Sequence, residues 1–200
     1  MAGDTIGAAR QRARLAVDPN TSTGEVDSLH ATGRRVLGAV QWQDALRESR
    51  ALMRRTLLAN ATPRAPGAGA LLQQGGGGTA TVTALLNGAP GAVIFWSRHC
   101  GFALEALPEI TAAIAKLRED GTRVLFVVDE PPSPDLDAFL RDKQVDWPVY
   151  HDVKGSTAAA FRNFGTPTYY VVDGRGRIWF DEVERVPDLI AQVDAVKSMR

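Results

Sequence analysis

The stretch 95-FWSRHCGFALEALP-108 holds the only cysteine of the chain, Cys100, at the point where one kind of sequence gives way to another. Before it, AVIFW (92–96) is a continuous apolar run rich in β-branched and aromatic residues, the pattern of a strand covered on both faces. After it, apolar residues recur at spacings of three and four from about Cys100 to Leu117, the pattern of an amphipathic helix. A thiol at such a junction lies near a helix N-terminus, where unpaired N–H groups and the helix dipole favour its anionic form. Arg98 and His99 stand directly before it, and either would add to the effect if its side chain turned toward the sulfur. Cys100 is therefore the candidate nucleophile, set against the plainer reading of an ordinary buried thiol.

Working outward, short β-rich runs alternate with helical ones. TATVTALL (79–86) precedes a turn at Asn87-Gly88, and RVLFVV (123–128) follows the Cys100 helix. Two buried strands separated by one helix predict a βαβ crossover. Helices are predicted over 135–144, 156–164 and 187–199, with strands at 147–152, 168–173 and 177–183. The Gly-Arg-Gly turn at 174–176 joins the last two strands as an antiparallel hairpin. These elements predict an α/β sandwich with a mixed sheet over residues 79–200.

Residues 1–60 have a different texture. Leu29, Val36, Leu37 and Val40, then Trp42, Leu46, Met53 and Leu57, recur at helical spacing and predict two amphipathic helices, and the first 20 residues also read as helix. Gly33, Val36 and Ala45 sit at spacings similar to one tetratricopeptide-type helix pair, although no second copy follows. The segment 61–78 is rich in Pro, Gly and Ala with almost no charge and reads as a linker. Its glycines, Gly75 to Gly78, are followed by no Gly-Lys-Ser/Thr and open no helix, so they predict no phosphate cradle.

The 23 basic and 23 acidic residues balance, and no basic stripe is interleaved with aromatics, which argues against nucleic acid as a partner. One cysteine excludes an internal disulfide and a thiolate-rich zinc site, and His30, His99 and His151 are too scattered to supply a metal site instead. No cofactor is implied. No segment approaches the roughly 20 apolar residues of a membrane span, and no signal-like apolar run opens the sequence, so the chain as it stands is expected in the cytoplasm.

The Cys100 stretch resembles the active-site strand and helix of thioredoxin-like proteins, in particular the TlpA-like and redoxin (AhpC/TSA-related) branch. In that branch a strand ending in Phe-Trp leads to Cys-x-x-Cys, and a helix proline follows. Phe95, Trp96, Cys100, Gly101 and Pro108 match the pattern. Far downstream, 164-FGTPTYYVVDGRGRI-178 is similar to the family's second signature, a Gly-x-Pro-Thr segment followed by a strand, an Asp-Gly turn and another strand. The resemblance implies that Pro167 is a cis-proline facing the cysteine and that the backbone of Thr166 pairs with a bound thiol substrate. It also makes Trp96 and Ser97 supporting residues, beside Arg98 and His99, which support the thiol by their position before it, and it implies work in the cell envelope, where TlpA-like proteins commonly act.

Departures from the pattern shape the expected chemistry. Ala103 stands at the second cysteine, Phe102 replaces the usual intervening proline, and Ile94 stands where many thioredoxins bury a carboxylate. The glutamate often found six residues after the cysteine is displaced too, with Ala106 there and Glu105 one place earlier. A lone thiolate can attack a disulfide and form a mixed disulfide, but resolution then needs an outside thiol. The expected activity is monothiol thiol–disulfide exchange with a protein disulfide or a low-molecular-weight thiol. The alternatives are a one-cysteine peroxidase of peroxiredoxin type, with Ser97 near the peroxide, or a binding module whose helical extension contacts another protein.

Overall fold

The computed structural model describes residues 2–67, 70–75, 77–183 and 185–199. The chain forms two compact units, Met1–Asn60 and Ala61–Arg200.

The first unit has three helices, α1 (Ala2–Val17), α2 (Thr23–Leu37) and α3 (Ala39–Asn60). Ser22 starts α2 with a reciprocal cap. Its hydroxyl accepts from the Glu25 N–H, and the Glu25 carboxylate accepts from the Ser22 N–H at 3.1 Å. Gly38, at φ 78°, ends α2 in a conformation that suits glycine. That break resets the helical phase, so Val40, expected on the apolar stripe, is 76% exposed. The core gathers Ala13, Trp42, Ala45 and Leu46. The Trp42 indole N–H donates to His30 Nδ1 at 2.9 Å, and the ring lies so close to Gly33 that an added Cβ would meet it at 2.3 Å.

The second unit is built on one sheet. Its strands are β1 (Leu71–Gln74), β2 (Thr79–Thr81), β3 (Gly91–Trp96), β4 (Arg123–Val128), β5 (Val149–His151), β6 (Thr168–Val172) and β7 (Ile178–Val183). Their order is β2-β1-β5-β4-β3-β6-β7, with β3, β4 and β5 parallel and the other pairings antiparallel. The helices are α4 (Val82–Leu86), α5 (Gly101–Glu119), α6 (Pro134–Asp142), α7 (Ser156–Phe161) and α8 (Val186–Lys197). Among the described residues no helix is long and apolar enough to cross a membrane.

Alternation along β3 separates two cores. Val93 and Phe95 face a cluster with Leu72, Leu86, Leu125, Val127, Phe161, Tyr170 and Ile178. Ala92, Ile94 and Trp96 face the other way, where α5 packs on β4 and on α8. All six residues of β3 are buried, as its unbroken apolar run requires. The Asp173 carboxylate organises the β6–β7 turn by accepting from the N–H groups of Arg175 and Arg177 and from the Trp179 indole.

Two expectations need correction. The segment 61–78 is not a free linker: β1 pairs with β5, Arg64 forms a bridge with Ile178, and the Gly67 N–H donates to the Ala160 carbonyl at 2.8 Å. Its polar backbone is satisfied by strands and loops far along the chain, which local composition does not show. Ala68, Gly69 and Gly76, in the same segment, lie outside the described residues. The run 79–86 is strand only to Thr81, whose hydroxyl accepts from the Ala84 N–H at 3.1 Å and starts α4, burying Val82 and Leu86.

Candidate active site

Strands β3 and β4 end level with each other, Trp96 opposite Val128, so the residues after each share one edge of the sheet. The chain leaves β3 through a tight turn. The Ser97 carbonyl accepts from the Cys100 N–H at 3.3 Å, and the Ser97 hydroxyl accepts from the His99 N–H at 3.2 Å. This turn delivers Cys100 to the N-cap of α5, with φ −104° and ψ 118°. Ser97, a supporting candidate from the sequence, is buried and shapes the turn.

Trp96 fixes the other side of the thiol. Fully buried, it lies against Phe126 and Phe139, and its indole N–H donates to the Ala103 carbonyl at 2.7 Å. Ala103 is itself fully buried, so the place of a second cysteine is a packed methyl group under the first turn of α5. Pro108, inside the same helix, removes the N–H that would otherwise bond to the Leu104 carbonyl.

Cys100 is a free thiol, partly exposed, and its S–H donates to the Thr166 carbonyl at 3.0 Å. The Thr166–Pro167 bond is cis, so both signatures meet at the sulfur. The thiol pKa lies below its ordinary value. The Ala103 N–H stabilises the thiolate most, the Thr166 side chain next, and the Phe102 N–H adds to them. Burial and the charge of Asp129 oppose the shift without reversing it.

Arg98 and His99 do not supply that stabilisation. The Arg98 guanidinium turns to the carboxylates of Asp135 at 2.6 Å and Glu130 at 2.8 Å and lies over the Phe139 ring. His99 is 70% exposed, with Nε2 3.9 Å from Glu130. Arg98 Nε and Glu130 Oε1 are buried without a hydrogen-bond partner among the described residues. The pair Asp129-Glu130 escaped the sequence reading, although acidic residues directly after a parallel strand are the signal that would place them here.

Two exposed aromatic side chains stand two residues along the chain from the partners of the Cys100–Thr166 contact. Phe102, two residues into the Cys100 helix, is 79% exposed, and Phe164, two residues before Thr166, is 91% exposed. A cavity of about 320 Å³ lies beside the cis-proline, lined by Asn163, Phe164, Pro167 and Tyr170.

Comparison with known proteins agrees with this architecture. A structure of a hypothetical protein from Sinorhizobium meliloti matches with a TM-score of 0.58 at 19% identity, covering 70% of this chain and 86% of that one. A putative thiol:disulfide interchange protein DsbE from Chlorobium tepidum matches with 0.55 at 22% identity, covering 68% and 96%. The exposed lipoprotein thioredoxin of Streptococcus pneumoniae matches with 0.50 at 24% identity, covering 61% and 94%. No curated protein matches the chain. At these identities the structures establish a thioredoxin-like fold. The sequence pattern of the AhpC/TSA family matches residues 64–180, more than half of the 200, and the chain belongs to the AhpC/TSA family.

Proposed function

We propose that this protein is a thiol–disulfide oxidoreductase that acts through Cys100 alone, in the manner of a TlpA-like protein without its second cysteine. The observation that carries the reading is the thiol at the N-cap of α5, held 3.0 Å from the Thr166 carbonyl beside a cis-proline, with its pKa lowered by the Ala103 N–H. The Cys100 thiolate attacks one sulfur of a disulfide, the S–S bond breaks, and the other sulfur leaves as a thiolate. An external thiolate then attacks the substrate sulfur of the mixed disulfide, forms a new S–S bond and restores the Cys100 thiolate. Ala103 offers no internal thiol for that second step.

Trp96 and Ser97 act here by position, fixing the helix start and the turn. Thr166 and Pro167 form the wall against which the substrate sulfur docks. Arg98 anchors the loop after β4 through Glu130 and Asp135, and His99 lies at the rim. The peroxidase alternative has Ser97 to draw on, but that hydroxyl is buried and already accepts from His99, which favours exchange. We place the activity in the cell envelope, as the pneumococcal exposed lipoprotein thioredoxin supports. Reduced protein mixed with a disulfide such as bis(2-hydroxyethyl) disulfide should gain one adduct at Cys100, and added thiol should release it. An unmodified Cys100 under those conditions refutes the reading.

A further inference from the structure

Exchange chemistry alone does not say whether the partner is a small thiol such as glutathione or a polypeptide; this inference rests on the exchange reading and chooses between them. We infer that the Cys100 site takes an extended polypeptide segment whose cysteine is flanked by apolar and basic residues, and that Phe102 and Phe164 set this preference.

The first observation is the aromatic rim. Phe102 and Phe164, 79% and 91% exposed, each stand two residues from an atom of the Cys100–Thr166 contact, one on the helix and one on the loop. Two residues span at most about 7 Å, so both rings lie within reach of side chains neighbouring a cysteine docked on Cys100. Large exposed aromatics within such reach of a reactive atom are surface that gains by being covered. A small hydrophilic thiol covers neither ring fully, whereas a polypeptide running past Thr166 covers both.

The second observation is charge. The acids of this edge are Asp129, whose charge reaches the thiol, then Glu130 and Asp135, after β4 and at the start of α6, which both bind Arg98, and Glu105, one turn beyond Phe102. Against these four carboxylates stand two guanidinia, Arg98 and Arg162. Arg98 is already matched by two of the acids, and Arg162 is exposed two residues before Phe164. The rim is net negative before His99 is counted. Glutathione brings two carboxylates and one ammonium, so this rim repels it, while a basic segment is drawn in.

The test compares rates of adduct formation at Cys100 by rapid mixing and mass measurement of the intact chain. The probes are three disulfides sharing 2-mercaptoethanol as leaving group: bis(2-hydroxyethyl) disulfide, the glutathione mixed disulfide, and a short peptide with its cysteine between Leu and Lys. The peptide is expected to react about tenfold faster than the glutathione disulfide, with the advantage shrinking as salt rises. Phe102→Ala and Phe164→Ala should each slow the peptide about three- to tenfold, the loss of one apolar contact. Both should leave the small neutral disulfide within about twofold of the parent rate, and a circular dichroism melt matching the parent's shows that the variants fold. A glutathione disulfide as fast as the peptide, or a peptide advantage that survives both substitutions together, overturns the inference and leaves the exchange reading standing. Absence of any adduct, the neutral disulfide included, overturns both.

Discussion

Replacing Trp96 with phenylalanine tests how far the reactive thiol depends on the packing beneath it. The indole N–H donates to the Ala103 carbonyl at 2.7 Å in a fully buried setting, and the N–H of the same Ala103 is the largest stabiliser of the Cys100 thiolate. Trp96→Phe deletes the donor, which costs about 0.5–1.5 kcal/mol, the net worth of one hydrogen bond, because the Ala103 carbonyl inside α5 keeps its helical partner. It also removes part of a ring packed on Phe126 and Phe139, for about 1 kcal/mol more in lost burial and incomplete collapse. The expected loss is about 1.5–2.5 kcal/mol, read from chemical denaturation followed by circular dichroism. The first turn of α5 then loses its anchor, so the thiol pKa should rise toward the ordinary value of about 8.5. The pH dependence of alkylation by iodoacetamide reads that shift. A stability change below about 0.5 kcal/mol together with an unchanged alkylation profile would refute the link between the indole and the thiol.

In the parent protein, alkylation of Cys100 should follow its thiolate fraction and reach half its maximum at lower pH than an ordinary cysteine does. Because the folded pKa is lowered, the reduced state gains stability relative to Cys100→Ser as pH rises through the folded value and loses it as pH falls; a flat difference across that window contradicts the shift. Ala103→Cys supplies a second thiol one turn from Cys100, which should attack the Cys100 sulfur of the mixed disulfide, release the substrate as a thiol and leave an intramolecular disulfide, one reduction per chain without an external thiol. Continued accumulation of mixed disulfide would count against the emptied resolving position. Gly33→Ala should destabilise the three-helix unit by about 1–3 kcal/mol despite alanine's better helix propensity, because the new methyl meets the buried Trp42 ring at 2.3 Å. A melting temperature equal to or above the parent's would show that the ring can yield.

Much of the second unit was legible because its central elements announce themselves locally. AVIFW and RVLFVV are apolar throughout since parallel neighbours and helices cover both faces, and they pair as a crossover predicts. The Gly-Arg-Gly turn closes the β6–β7 hairpin, with Asp173 accepting the turn's N–H groups. The approach of Thr166-Pro167 to Cys100 was legible through family likeness, since no periodicity joins residues 66 positions apart.

What escaped the reading depended on distant partners. Arg98 lies two residues from Cys100, yet its guanidinium is drawn to Glu130 and Asp135, because a long cation reaches the acids that the fold brings near, wherever the chain supplies them. Strand β1 was hidden in a Gly-rich segment because its order comes from Tyr150 and His151, far along the chain. In α4, one hydroxyl cap outweighed the β-propensity of TATVT. Residues 1–60 gave their helical period readily, but Val40 shows that a phase carried across Gly38 misassigns the buried face.

In the proposed mechanism one cysteine performs half of an exchange and waits for a second thiol. Mass measurement of the intact reduced chain, first with excess peptide disulfide and then with added thiol, tests it most directly. A single adduct at Cys100 should persist until the thiol arrives and then disappear with return of the free chain. Release of the adduct without added thiol, or no adduct at all, would contradict it.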